Sequence, residues 1–344
     1  MSVEQQESPR RAATIYEVAK RAGVSHQTVS RYLRGRGPFR PATEEKVREA
    51  IEELNYRPNQ VARSMRTRRT GVLAVLLPSQ VEAMPTPTLA GAAAAAHEAG
   101  HFMEISVVEG TAQDRAARAS ELLNSGRVDG VLSLTALPGL QDRAAGPDSA
   151  AFTAWDQFDD ALRGIGPLAD ASLMAEIVRS LAADGHRHLL HVAGPPDWTS
   201  ARARRQVFEE TAAGLGLDSA GVTGGGWGAE VGRTAVLGLP EETSITGVVA
   251  ANDQVALGAM RGAYERGWAV PERMSVVGWD DTEAGQYAVP ALSTVGVDRH
   301  GQGRQAMDRL IALVKDQEAP TAQPEPNRLI LRESTGPAPA PPHD

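Results

Sequence analysis

The chain has 344 residues, of which 42% are hydrophobic and 23% charged, with 34 Gly, 22 Pro and no Cys. This length excludes a single small module, because it allows two or three domains of ordinary size. The absence of cysteine excludes a disulfide framework, a thiolate metal site and a cysteine nucleophile. The start lacks a signal-peptide pattern and no run of about 18 apolar residues occurs, so we expect a cytoplasmic protein outside the membrane.

The net charge of −8 is distributed unevenly along the chain. Residues 1–70 carry 15 Lys and Arg against 8 Asp and Glu, a net charge of +7. The remainder carries 20 of the 35 basic residues and 35 of the 43 acidic residues, a net charge of −15. A basic segment of this kind predicts a polyanionic partner, for which nucleic acid is the first candidate. A solvated basic surface is the alternative that charge alone leaves open.

Three short helices are predicted within the basic segment. Apolar residues from Ile15 recur at the spacing of one helix face, with Thr14 as a possible cap and Gly23 at the end. Ser25 can cap a second helix, and a third begins near Thr43. Two helices joined by a tight turn indicate a helix-turn-helix, whose second helix enters the major groove of DNA.

Two stretches of this segment resemble the DNA-binding head of the lactose repressor (LacI/GalR) family of bacterial transcription regulators. The first runs from Thr14 to Arg31 and ends in Val24-Ser25-His26-Gln27-Thr28-Val29-Ser30-Arg31. The second reads Glu53-Leu54-Asn55-Tyr56-Arg57-Pro58-Asn59. The resemblance implies that the second helix contacts operator DNA through His26, Gln27, Thr28, Ser30 and Arg31. Gln27 and Arg31 are chemically suited to adenine and guanine edges, and Thr28 is expected at a phosphate.

Residues 58–66 resemble the hinge helix of the same family, which orders on operator DNA and inserts an apolar wedge into the minor groove. The resemblance implies that Asn59 contacts DNA and that Met65 is the wedge, where the family commonly has Leu. Phosphate contacts are expected from four basic residues, Arg63, Arg66, Arg68 and Arg69. A simple basic linker is the alternative.

From Gly71 onward, short apolar runs alternate with Ala-rich helical stretches, which predicts βαβ units and parallel sheets. The expected strands are 72–77, 102–107, 128–132, 188–192, 247–251, 275–277 and 328–331. The expected helices are 89–99, 115–124, 201–213, 229–237, 254–266 and 302–314. The fold class is therefore an all-α helix-turn-helix head followed by an α/β body of two lobes, and the body resembles periplasmic sugar-binding proteins. Residues 136–166 have little periodicity, and no strand is placed there.

These patterns divide the chain into five parts. We expect a disordered extension over 1–12, a helix-turn-helix domain over 13–57, and a hinge helix with linker over 58–70. An effector-binding and dimerisation domain covers 71–333, and a low-complexity tail over 334–344 is expected to be disordered. The tail has no apolar heptads, so the expected state is a homodimer that matches a palindromic operator.

Five residues of the second lobe are candidates for binding a polyhydroxylated effector. Arg204 offers a planar fork for two hydroxyls, Asn252 offers a donor and an acceptor, and Asp280 can accept from a diol. Trp227 can stack on a pyranose ring, and Ser200 is a further candidate. These positions look like the effector contacts of the family, which implies a sugar such as a β-galactoside. Another glycoside or a nucleobase co-repressor is the alternative ligand. The structural alternative is that Asn252 and Asp253 only cap the next helix and that Asp280 only closes a turn.

Two departures from the family pattern leave the identity of the sugar open. Ala154 falls where the family has an effector-contacting Asp, and Arg299 falls where it has an aromatic residue.

No compelling set of catalytic residues is present, and we expect no metal and no cofactor. His188 and His191 are three apart on a predicted strand and would point to opposite faces. Asp280 and Asp281 are adjacent on a turn, so they do not flank a substrate as glycosidase acids must.

The expected function is a repressor of carbohydrate-utilisation genes that a small sugar releases from DNA. A DNA-tethered carbohydrate enzyme is the alternative from another class.

Overall fold

The computed structural model describes residues 13–33, 37–56, 69–79, 85–146, 149–321 and 326–340. Contacts within the chain divide it into two units, and the division falls between Thr70 and Gly71. The predicted extension over 1–12 and the predicted hinge helix over 58–66 lie outside the described residues.

The first unit contains three helices, α1 (Ile15–Ala22), α2 (His26–Tyr32) and α3 (Pro41–Glu53). Thr14 caps α1, and Gly23 ends it with φ of 68°, a conformation that glycine adopts without strain. Ser25 caps α2, as predicted. The third helix begins at Pro41 rather than near Thr43, because proline fits the first turn of a helix, where its missing N–H costs nothing. Val18 and Val29, both fully buried, lie in the small core between the helices.

The first lobe of the second unit has a parallel sheet in the order β2-β1-β3-β4. Its elements are β1 (Val72–Pro78), α4 (Thr86–Glu98), β2 (Phe102–Val108), α5 (Ala112–Asn124), β3 (Gly130–Thr135) and β4 (Ala151–Phe158). In the register of this sheet, Leu73 of β1 lies opposite Met103 on one side and Gly130 on the other. Buried apolar clusters cover both faces of the sheet, as a parallel sheet requires.

The second lobe has a parallel sheet in the order β6-β5-β7-β8. Its elements are α6 (Ser172–Ala183), β5 (His188–Ala193), α7 (Thr199–Gly214), β6 (Asp218–Gly224), α8 (Ala229–Leu237), β7 (Gly247–Ala250), α9 (Asp253–Glu265), β8 (Ser275–Val277) and α10 (Glu283–Gln286). Val249 of β7 lies opposite His191 and Val277, which sets the register of the central strands.

The chain returns to the first lobe and then leaves it again. After β9 (Thr294–Gly296), helix α11 (Arg299–Lys315) packs against α4, β3 and β4 of the first lobe. Strand β10 (Arg328–Ile330) then pairs antiparallel with β9. The body is thus the expected two-lobed α/β structure with parallel sheets.

Several predicted elements need correction. The strand expected over 128–132 begins at Gly130 and continues to Thr135. The unplaced region 136–166 contains β4, and the sequence analysis missed α6 and β6. Strand β6 was missed because it lies at the edge of the sheet and has only one large apolar residue, Val222.

The prediction of a disordered tail from Ser334 is wrong for residues 334–340. Ser334 is fully buried, its carbonyl accepts from Val276 N at 2.8 Å, and its Oγ donates to Val276 O at 2.6 Å. Farther along, Ala338 N donates to Asp184 O at 2.8 Å. The Pro- and Ala-rich composition does not predict this ordered structure, because the hydrogen bonds that hold the tail in place come from β8 and its surroundings and not from within the tail. Residues 341–344 lie outside the described part of the chain.

Candidate functional site

The second helix of the head presents a polar surface to solvent. His26, Gln27 and Arg31 are exposed, Thr28 and Ser30 are half-buried, and Val29 between them is buried in the core. Ser25 fixes the start of this helix, since its Oγ accepts from Thr28 N at 3.1 Å and lies 2.9 Å from Thr28 Oγ1. The first turn is the part of such a helix that meets base edges.

Aromatic contacts hold two of these side chains in place. The ring of His26 lies 5.1 Å from that of Tyr16, centroid to centroid. The guanidinium of Arg31 lies 5.5 Å from the centroid of Phe39. The remaining predicted DNA contacts, Asn59 and Met65, lie outside the described residues, as do Arg63, Arg66 and Arg68; Arg69 is described and exposed.

In the second lobe, Arg204 of α7 is a buried cation beside the carboxyl ends of the strands. The residue is 3% exposed, its guanidinium lies 4.1 Å from the ring centroid of Trp279, and it donates to the carbonyl of Ala251. Its Nε has no hydrogen-bond partner, and it forms no ion pair with a carboxylate of the described residues. Burial lowers the pKa of Arg204 to about 10, so it stays charged at neutral pH. A charged donor held in this way is ready to bind hydroxyl oxygens.

Asn252 follows β7 and caps α9. Its Oδ1 accepts from Val255 N at 2.8 Å, and its Nδ2 donates to the carbonyl of Trp227 at 3.1 Å. The structure therefore shows the capping role that the sequence left as an alternative. One lone pair and one amide hydrogen remain for a ligand.

Asp280 follows β8 in a conformation that glycine favours, with φ of 117°, and Asp281 has φ of 53°. Backbone strain of this kind costs about 1–3 kcal/mol and is concentrated at functional sites. Asp280 Oδ1 accepts from Arg299 Nη2 at 2.9 Å. Arg299, which stands where the family has an aromatic residue, therefore pairs with Asp280, a predicted effector contact. Each of these two side chains is about a quarter exposed, at 27% and 28%.

A buried carboxylate that the sequence analysis considered only as a possible helix cap supports this turn. Asp253 is fully buried and accepts from Thr294 Oγ1 at 2.5 Å and from Thr282 N at 2.6 Å. Burial raises the pKa of Asp253, against the opposing effect of these hydrogen bonds. Its position directly after Asn252 was the only sequence signal for it. Asp253 positions the segment that carries Asp280.

Trp227 lies over the end of β5 and against a second tryptophan. A Cβ atom at Gly194 would stand 2.6 Å from the Trp227 ring, so only glycine allows this contact. The ring centroids of Trp227 and Trp198 are 5.1 Å apart, with an interplanar angle of 74°. Ser200 is buried and lies one helical turn before Arg204, on the same face of α7.

The structure thus brings Arg204, Trp227 and Asn252 together at the carboxyl edge of the second-lobe sheet, with Asp280 at the end of the neighbouring strand. Ligands of open α/β sheets bind at this edge. Ala154 lies in β4 of the first lobe, and its N donates to Asp142 at 3.3 Å.

His191 of β5 has a structural environment. His191 is fully buried, its Nδ1 lies 2.8 Å from Val249 O, and its ring stacks on Phe208. Burial lowers the pKa of His191 to about 4. The described residues contain no cluster of three or more side chains that could hold a metal ion, and none of the described helices could cross a membrane.

Comparison with known proteins gives matches for both units. The family model for bacterial regulatory proteins of the lacI family matches residues 14–59, and a periplasmic binding protein-like domain matches residues 178–335. The lactose operon repressor of Escherichia coli (strain K12) is 31% identical over 328 residues, which cover 94% of this chain and 90% of that protein. The chain belongs to the LacI family. The family and the fold class expected from the sequence are confirmed.

Two solved structures match this LacI-family protein over most of its length. The lac repressor dimer bound to operator and the anti-inducer ONPF has a TM-score of 0.65 and 27% identity, and the match covers 95% of this chain and 100% of that one. The complex of the transcriptional regulator CelR with cellobiose has a TM-score of 0.55 and 26% identity, covering 94% of this chain and 99% of that one.

Proposed function

We propose that this LacI-family protein represses carbohydrate-utilisation genes and leaves its operator when a small sugar binds at the second-lobe edge. The observation that carries the proposal is Arg204, a buried guanidinium that forms no ion pair with a carboxylate of the described residues and whose Nε has no hydrogen-bond partner, at the sheet edge where ligands bind. A buried donor that lacks an acceptor is costly, and an effector rich in hydroxyls would supply an acceptor for Arg204 Nε.

On the DNA side, α2 enters the major groove as a recognition helix. His26, Gln27, Ser30 and Arg31 contact base edges, and Thr28 contacts a phosphate. Asn59 and Met65 contribute from the hinge helix. Two copies of the chain bind the two halves of a palindromic operator. The solved lac repressor structure, a dimer bound to operator, supports this arrangement.

On the effector side, Arg204 donates to two neighbouring hydroxyls, and Asp280 accepts from one. Trp227 stacks on the apolar face of the ring, and Ser200 and Asn252 complete the contacts. A β-galactoside is the first candidate because the lactose operon repressor is 31% identical. A different glycoside is the second candidate, since the solved CelR structure is a complex with cellobiose.

The two sites are coupled through the lobes. A sugar that prefers the released state shifts the population toward it, and the affinity for DNA falls by the same free energy. A preference of about 3 kcal/mol would weaken DNA binding roughly 150-fold.

A reporter gene tests this proposal in cells. The DNA upstream of the protein's own coding region is fused to the reporter, with and without the protein. We expect low expression with the protein present and recovery when one sugar of a panel is added. Activation by the protein, or expression that is independent of it, would contradict repression.

A further inference from the structure

The guanidinium of Arg31 lies against the segment that precedes α3. Arg31 is in the last turn of α2, and its guanidinium carbon is 5.5 Å from the ring centroid of Phe39. This distance is within the range of a cation–π contact, about 6 Å. Gly37, whose φ of 100° favours glycine, leaves room for the guanidinium, because a Cβ atom there would collide with Arg31 Nη2. We call Gly37 and Phe39 together the arginine cradle.

The ring of Phe39 is itself held in place. Its centroid is 5.9 Å from that of Tyr32, with an interplanar angle of 68°, a favourable edge-to-face geometry. Tyr32 packs against the small core of the head. Phe39 is half-buried, and Pro38 and Pro41 restrict the backbone on either side of it. The arginine cradle is therefore part of the folded head before any DNA arrives.

The cradle leaves the hydrogen-bond donors of Arg31 available to DNA. The ion pairs of the described part of the head involve Arg21 and Arg48, and none of them involves Arg31. An aromatic ring attracts the positive charge through its quadrupole, whereas a carboxylate would accept hydrogen bonds from the same N–H groups that bind a base. Arg31 is also exposed to solvent. Its side chain is thus oriented by the cradle and still able to donate to a guanine edge.

We propose that Phe39 and Gly37 are positioning residues that increase the specificity of Arg31 for guanine without contacting a base themselves. This inference rests on the proposed contact of Arg31 with a guanine edge. A long arginine side chain loses rotamer freedom when it binds a base, and a side chain that is already oriented loses less. Only a base pair that binds Arg31 gains from this, so the cradle strengthens the preference for guanine at that pair alone.

Phe39→Leu tests the inference in the full chain by fluorescence anisotropy. The probe is labelled DNA from upstream of the protein's own coding region, in competition with single-base variants of its palindromic site. The pair that Arg31 contacts is the one whose substitution weakens binding of the wild type and not of Arg31→Ala.

At that pair we expect Phe39→Leu to lower the preference for guanine about two- to fivefold, which is the size of an exposed cation–π contact. Preferences at the other positions should stay unchanged. Phe39→Tyr should retain the guanine preference, because it keeps the aromatic face. In the Arg31→Ala background, Phe39→Leu should have no further effect at this pair, since the residue that it positions is gone.

Tyr16 provides the matched control. It is an exposed aromatic residue of the same head, and its ring centroid is 5.1 Å from that of His26, a different predicted DNA contact. Tyr16→Leu makes the same change from an aromatic to an aliphatic side chain. It should leave the guanine preference at the Arg31 pair unchanged.

The outcomes separate this inference from the proposed function. An unchanged guanine preference in a folded Phe39→Leu protein, an equal loss at every position, or the same loss in Tyr16→Leu would overturn the inference and leave DNA recognition by α2 standing. Base preferences in Arg31→Ala that equal those of the wild type would overturn both the proposed Arg31 contact and the inference.

Discussion

Replacement of Arg204 by Met should remove the response to sugar and leave DNA binding intact. The guanidinium is expected to make two charge-assisted hydrogen bonds to the effector, each contributing about 1.5–3 kcal/mol. Their loss weakens sugar binding by at least about 3 kcal/mol, roughly 150-fold.

The same substitution should have a small net effect on stability, because opposing contributions are of similar size. Burial lowers the pKa of Arg204 to about 10, which corresponds to a cost of about 3 kcal/mol for keeping the side chain charged. Met removes that cost. It also removes the contact with Trp279, about 2 kcal/mol, and the hydrogen bond to Ala251, about 1–3 kcal/mol.

Fluorescence anisotropy of labelled operator DNA, titrated with sugar, measures the effect. The Arg204→Met protein should bind DNA within about threefold of the wild type and release it only at sugar concentrations more than a hundredfold higher. Arg187→Met is the control, since Arg187 is exposed and precedes β5 at the opposite edge of the sheet. A folded Arg204→Met protein with the wild-type sugar response, or one that also loses DNA binding, would refute the reasoning.

Three further predictions concern other parts of the chain. Gln27→Ala should relax the base preference at one position of each half-site by about 1–3 kcal/mol, measured by competition with single-base operator variants; an unchanged preference would rule out the contact. His191 has a pKa of about 4 in the folded protein and about 6.5 when unfolded, so the unfolded chain binds more protons between these values. The free energy of unfolding should therefore fall by about 3 kcal/mol as the pH drops from 6.5 to 4, and equal acid sensitivity in His191→Gln would argue against this cause. Ser334→Ala removes the acceptor of Ser293 N and the donor to Val276 O, so denaturant unfolding should show a loss of about 1–3 kcal/mol, and no loss would contradict the packed tail.

Local signals made much of the fold predictable from the sequence. Thr14, Gly23 and Ser25 mark the ends of α1 and α2 because capping depends on residues close in the chain. The buried strands of the second lobe are runs of apolar residues, so the sequence predicts them as well. The sequence does not predict edge strand β6 or the ordered tail, because their stability comes from hydrogen bonds to residues distant in the chain.

The site was predictable in its residue types and less so in its arrangement. The sequence indicated Arg204, Asn252 and Asp280 through their chemistry and their places near predicted strand ends or helix starts. It left capping by Asn252 as an alternative, which the structure shows. It did not show that Arg299 pairs with Asp280 from 19 positions away, or that Asp253 is buried behind them. Trp198 carried no signal of its own, because its contact with Trp227 depends on the order of the strands.

The central claim is that one chain both binds an operator and senses a sugar. The direct measurement is the fluorescence anisotropy of labelled DNA from upstream of the protein's own coding region, titrated with protein at a fixed salt concentration. A panel of sugars that includes lactose is then added to the complex. We predict tight binding to a palindromic site and its reversal by one sugar of the panel. Tight binding that no sugar reverses would contradict the sensing role, and no binding to any palindromic site would contradict the repressor itself.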